Sequence, residues 1–217
     1  MKGVTRLWRC WPLPSNNSKL AYSELRAIAR SLALATLFDK PTEQEVSCDL
    51  IQLGLELNKI IDIASEPMLA MIRMQWWLDL FEAEMPLSEC PDFAKRLHNS
   101  SYIENQNIIA IIQETQDSLQ LPTHCTSWAK LFEVICVSNG WQVEKAVLQK
   151  LGHNFNAINH KDLAHNYEQV SDKEIKAASG AKYGLFRLLN LVMQRQMSGK
   201  PTEDYLLIFR FLKLVLL

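Results

Sequence analysis

Between Ser18 and Met197 the apolar positions recur mostly at helical spacing. Ser18 is placed to cap a first helix, and Leu20, Leu25, Ile28, Leu32 and Ala35 give that helix one broad apolar face. Pro41 opens a second helix, in which Val46, Leu50, Leu53, Leu57 and Ile60 step by 4, 3, 4 and 3 and form a clean seam. Ser65 and Pro67 punctuate the chain, and Met68, Leu69, Ile72, Trp76 and Leu80 carry a third helix. Pro86 and Pro91 bound a loop. Ile108, Ile109, Ile111 and Ile112 predict a helix from about Tyr102 to Leu119, which Pro122 breaks. Trp128, Leu131, Phe132 and Ile135 predict another, ending near Asn139-Gly140, and a shorter piece runs from Trp141 to near Gly152. Residues 153–170 are polar and ambiguous. A long helix is expected from Ser171 to about Met197, stopped by Ser198-Gly199 with Pro201 beyond, and a last apolar helix fills the C-terminus.

No run alternates with period 2, no repeat has a fixed period, and no linker rich in Gly, Ser or Pro divides the chain. The expectation is one all-α domain of about eight to ten helices over residues 18–217, after an N-terminal tail of residues 1–17. In that tail Trp8 and Trp11 stand beside basic residues. It either packs on the domain, is disordered, or touches a membrane surface. Residues 205–217, Y-L-L-I-F-R-F-L-K-L-V-L-L, are apolar at 11 of 13 positions. That is too short to span a bilayer. Packing into the bundle is expected there, with partner contact, or membrane contact through Arg210 and Lys213, as the alternatives.

Composition narrows the class. Apolar residues are 48% and charged residues 22% of the 217, which suits a globular rather than a disordered chain. Lys plus Arg is 23 against 24 for Asp plus Glu, so overall basicity gives no reason to expect a nucleic-acid partner. The charge is uneven: residues 1–23 hold Lys2, Arg6, Arg9 and Lys19 without an acid, and the acids concentrate in the middle. Five scattered cysteines with no C-x-x-C read as reduced thiols of a cytoplasmic protein. Arg6 and Arg9 interrupt any signal-like apolar run. Cytoplasmic location is expected, with peripheral contact at the inner face of a membrane.

Phosphate-binding loops, dinucleotide fingerprints, nucleophile elbows and zinc-protease helices are all absent. His160 and His165 are five apart, which on a helix separates their faces. The unusual segment is residues 62–82, D-I-A-S-E-P-M-L-A-M-I-R-M-Q-W-W-L-D-L-F-E. Arg73 and Gln75 stand among Met71, Ile72, Met74, Trp76 and Trp77. Arg73 is three residues from Trp76 and four from Trp77, so its guanidinium can stack on an indole. The alternative is an ion pair with Asp79, Glu66 or another acid.

The run S-E-P-M-L-A-M-I-R-M-Q-W-W, residues 65–77, resembles a signature of the squalene/phytoene synthase family. It is nearest the short branch that includes a mitochondrial complex I assembly factor. Residues 180–201, G-A-K-Y-G-L-F-R-L-L-N-L-V-M-Q-R-Q-M-S-G-K-P, are similar to a later family segment. The resemblance implies that about residues 20–210 follow the family's isoprenoid synthase fold, and that the chain is truncated relative to the enzymes.

Family enzymes join two prenyl diphosphates, and Mg²⁺ held by two aspartate-rich motifs neutralises the departing diphosphate. This chain departs from that pattern. Near residues 56–66 the acids are Glu56, Asp62 and Glu66; Asp62 and Glu66 are four apart and imitate one half of a metal or catalytic site, although Glu66 precedes Pro67. With Gly199 set on the family's glycine, the second motif's aspartates fall near Leu191 and Arg195, with a further acid near Gln194. Ala177 to Thr202 contains no acid at all.

The resemblance therefore implies a pseudoenzyme that keeps the fold and a lipid-sized cavity. It would bind a lipid or serve as an assembly or scaffold protein, with no cofactor. Arg73, Gln75, Trp76 and Arg187 are its ligand-binding candidates, and Arg187 is otherwise read as part of a solvated helix face. The alternative is an active head-to-head prenyltransferase of isoprenoid biosynthesis, using farnesyl or geranylgeranyl diphosphate with Mg²⁺. It would recruit Asp62, Glu66 and acids such as Asp162, Glu168 or Asp172. Expected partners are a prenyl diphosphate or other lipid, a protein, and a membrane surface.

Overall fold

The computed structural model describes residues 16–37, 39–64, 66–82, 86–120, 125–159, 168, 170–171, 173–175 and 184–199. Among the described residues the regular structure is helical throughout and no strand occurs. The helices are α1 (Asn16–Ile28), α2 (Arg30–Ala35), α3 (Pro41–Ile63), α4 (Pro67–Phe81), α5 (Asp92–His98), α6 (Asn105–Ser118), α7 (Trp128–Ser138), α8 (Lys145–Asn159) and α9 (Gly184–Met197), with a 3₁₀ turn at Leu87–Glu89. The all-α expectation holds. The expected tail through Ser15 and the expected C-terminal helix lie outside the described residues.

The long helix α3 is the axis of the packing. Pro41 occupies its first turn, where a missing N–H costs nothing, and the Glu43 carboxylate accepts from the Lys40 backbone N–H (3.2 Å) and ammonium (2.9 Å). Val46, Leu50, Leu53 and Leu57 are buried and Ile60 is half-buried, as the seam predicts. α1, α4, α5 and α7 all pack on α3, α6 packs on α4 and α7, α8 lies along α7, and α9 covers α2 and α8. A Cβ at Gly54 would lie 2.6 Å from the Trp128 ring, so glycine there lets α7 seat its indole against the α3 backbone. Around that indole, Phe155 (4.2 Å between ring centroids) and Phe132 (5.9 Å) join α7 to α8, and Phe186 adds α9 through Phe132 (5.6 Å).

Four expectations need correction. Ser18 is not a cap: it is buried inside α1, which starts at Asn16. The expected single helix breaks at Ala29 (φ −144°, ψ 80°), and its inward residues are Ala21, Leu25, Leu32, Ala33 and Ala35, while Leu20 and Ile28 face outward. Gly152 does not stop α8, which continues to Asn159; a Cβ at Gly152 would sit 2.6 Å from the Ala129 Cα, so the glycine serves close helix contact. Gly140 (φ 65°) and Gly199 (φ 66°) do take the left-handed conformation that ends α7 and α9. Finally, α5 forms just after the expected Pro86–Pro91 loop, where the spacing assigned no element. Its Phe93, Ala94 and Leu97 are buried at helical spacing, and seven residues are too few for the pattern to stand out.

Candidate functional site

The segment singled out by its arginine and tryptophans forms α4, which begins at the corner where α3 ends. Ala64 (ψ 117°) leaves the helix and Glu66 (φ −139°, ψ 140°) is extended, as a residue before proline must be. Asp62 and Glu66 therefore belong to different elements and are not an i, i+4 pair on one helix. Asp62, on the last turn of α3, is exposed and accepts from the Asn58 amide (3.4 Å). Glu66 is exposed too. Its carbonyl accepts from Leu69 (3.1 Å) and Ala70 (3.4 Å), while its carboxylate caps nothing. Among the described residues no three His, Cys, Asp or Glu side chains gather as a metal site.

On α4 the inward positions are Ala70, Met74, Trp77, Leu78, Leu80 and Phe81. Three of the five residues whose spacing predicted the helix point the other way: Met68 is 64%, Leu69 45% and Ile72 62% exposed. Arg73 is exposed and, among the described residues, makes neither an ion pair nor a ring contact. The expected partners are engaged elsewhere. Trp76, half-buried, meets Trp77 edge-on at 5.0 Å; Trp77 stacks on Phe81 (6.5 Å) and reaches Phe93 (5.8 Å). Asp79 accepts from the Gln75 amide at 2.7 Å. Gln75 is thus an exposed residue tied along its own helix.

Arg187 overturns the expectation of a solvated face. It is 6% exposed within α9, Arg195 is 7% exposed, and neither is without a partner. Gln194, near the place of a family acid, donates to the Val170 carbonyl (3.1 Å) alongside Asn190 (2.9 Å). α9 therefore brings two guanidiniums, not carboxylates, into the bundle. Among the described residues α9, with Arg187, packs chiefly on α2 and α8, whereas Asp62, Glu66, Arg73, Gln75 and Trp76 stand on α3, α4 and the turn between them. None of these six residues lines the surface cleft of about 140 Å³ between α6, α7 and α8, which is bordered by Glu114, Lys130, Glu133, Lys145 and Gln149.

The strongest electrostatic feature escaped the sequence. Arg96 of α5 donates to both Asp49 oxygens (2.7 and 2.9 Å) and to Glu24 (2.6 Å), tying α5 to α3 and α1. Asp49 is 2% exposed in its side chain. Burial pushes its carboxyl up to about 7 against the pull of Arg96. Asp39 is buried as well and raised well above the carboxylate range, first by desolvation and then by Glu43, although Ser47 donates to it. One of its oxygens has no hydrogen-bond partner among the described residues. The available signal was Asp49 itself, an acid between Cys48 and Leu50 inside the seam of α3.

A second buried network lies nearer the corner. Thr126 donates to Asn58 Oδ1 (3.1 Å) and its carbonyl accepts from Asn156 (3.0 Å), while Asn156 Oδ1 and Trp128 Nε1 are buried without a hydrogen-bond partner among the described residues. Free thiols at Cys48, Cys90, Cys125 and Cys136 are held above their ordinary range mainly by burial, Cys136 up to about 12, so they are poor nucleophiles. No described helix is long and apolar enough to cross a membrane. Comparison with protein-family models, curated proteins and solved structures finds no match.

Proposed function

We propose that this chain is a squalene/phytoene synthase-like helical protein that works without prenyl transfer, as an assembly or scaffold protein. The fold proposed is the isoprenoid synthase bundle, and the family reading rests on residues 65–77 and 180–201. The observation that supports a non-catalytic role is the burial of Arg187 and Arg195 in acid-free α9. Diphosphate loss needs hard oxygen ligands to hold Mg²⁺. A guanidinium about 4 Å from a cation costs about 4 kcal/mol per unit charge at an effective dielectric of 20. Arginine at the family's aspartate position thus opposes the metal as well as failing to bind it. The outward apolar residues of α4 favour protein contact over a sealed lipid pocket, because they face away from the bundle.

The test is turnover. Purified protein is incubated with farnesyl diphosphate and Mg²⁺, and diphosphate release and hydrocarbon product are followed. Neither should exceed the protein-free rate. Joined C30 product formed in proportion to protein would establish the prenyltransferase instead.

A further inference from the structure

We propose that the seam between α8 and α9 is a site that reads an extended peptide main chain, and that residues 168–171 fill it as a displaceable strap. Asn154 of α8 spends both ends of its amide on one residue. Its Oδ1 accepts from the Glu168 N–H (2.8 Å) and its Nδ2 donates to the Glu168 carbonyl (2.6 Å). From α9, Asn190 (2.9 Å) and Gln194 (3.1 Å) both donate to the Val170 carbonyl. Two helices thus grip one stretch of chain through its peptide groups. Asn154 is fully buried and Asn190 nearly so, and amides that deep are costly without partners. Their partners are supplied by the strap.

Three features point to exchange. The first is that the grip ignores most of the strap's own side chains. Glu168 is held by its backbone while its side chain is exposed, and Val170 is fully buried. Main-chain bonds then give affinity, and one aliphatic anchor gives specificity. The second is an unfilled bond. Asn190 Oδ1 is buried and has no hydrogen-bond partner among the described residues. A peptide with an N–H there would gain a bond that the strap does not make.

The third is the weakness of the strap's further ties. Ser171 caps its own turn: its Oγ accepts from the Glu174 N–H (3.1 Å) and its carbonyl from the Ile175 N–H (3.2 Å). Lys150 of α8 pairs with Glu174 at 3.0 Å, but both side chains are more than a third exposed, where such pairs contribute little. Ile175 is the further buried anchor among the described residues of 171–175. The strap's main advantage is its place on the same chain. The outside occupant is accordingly an extended segment of a partner protein with an aliphatic residue at the Val170 position. This inference goes beyond the scaffold reading and does not rest on it.

The experiment uses the full chain and a fluorescein-labelled peptide of residues 165–176, followed by fluorescence polarisation. In the chain, Val170→Asp puts a carboxylate at the buried anchor and should free the seam. That variant should bind the peptide about tenfold tighter than the unaltered chain, whose strap competes from within. A peptide that itself carries Val170→Asp should not bind. Adding Asn154→Leu to the variant chain should weaken binding about tenfold. Equal binding to both chains, binding that survives Asn154→Leu, or no binding to a Val170→Asp chain with unchanged helical circular dichroism overturns the proposal. If that variant loses helix, hydrogen exchange in the unaltered chain decides. The Glu168 amide, held by Asn154, should exchange roughly a hundredfold faster than that of Ile135 in α7. Equal rates would mean that the strap opens only with the whole bundle, and would overturn the proposal too.

Discussion

Helices α3 and α4 are joined at one corner and have equally clear apolar patterns, yet they use them in opposite ways. In α3 the seam of Val46, Leu50, Leu53 and Leu57 is buried, and helices pack on several of its sides. In α4 the residues Met68, Leu69 and Ile72 face out, and the inward side is built from Ala70, Met74, Trp77 and Phe81. The lesson is that periodicity identifies an apolar face without naming what covers it. α4 is apolar on nearly every side, and such a helix has no unique inward direction until its neighbours are placed. α6 and α3 pack on α4, while Met68, Leu69 and Ile72 stay exposed.

The contrast can be broken most forcefully on the inward side of α4. Trp77→Ala removes an indole that touches Phe81, Phe93 and Trp76, and should cost about 3–5 kcal/mol. Denaturant unfolding should show that loss; a cost under about 1 kcal/mol would mean the inward side is assigned wrongly. Next comes the ion cluster that fixes α3. Arg96→Met leaves Asp49 buried without its cation and should cost about 3 kcal/mol, lowering Tm by roughly 6–12 °C. Adding Asp49→Asn should return part of it, because the orphaned charge is then gone.

Acidity sharpens the same region. Asp39 and Asp49 both have folded-state values raised above the ordinary 3.8, Asp49 to about 7. The native state then holds more protons than the unfolded chain between about pH 4 and pH 7. Stability from Asp49 is present below about pH 4 and is lost as pH rises through about 7, and Asp39 acts in the same direction. Asp39→Asn should therefore raise Tm by a few degrees at pH 8 and change little at pH 4, measured by thermal melts across that range. The smallest effect belongs to the outward side of α4. Ile72→Ser should shift stability by no more than about 0.5 kcal/mol, since the side chain is already 62% exposed.

Much of the fold was legible. The helical period, the prolines at helix starts and the glycines at the ends of α7 and α9 located most elements, because these signals are local. What was hidden is set by tertiary contact. The break at Ala29 has no sequence punctuation. Gly152 reads as a terminator, yet its lack of a side chain serves the approach of α7 to α8. The candidate site was legible only as a segment: the sequence marked residues 62–82 but not which side faces out, nor that Gln75, rather than Arg73, takes Asp79. The Arg96 cluster joins residues 24, 49 and 96, and no spacing rule links positions so far apart.

On the function proposed above, this bundle does not assemble a metal–diphosphate site from Asp62, Glu66 and α9. Calorimetric titration of farnesyl diphosphate into the full chain, with and without Mg²⁺, tests it most directly. No binding that requires Mg²⁺ is expected. A saturable heat that appears only with Mg²⁺ and disappears in Asp62→Asn would contradict it.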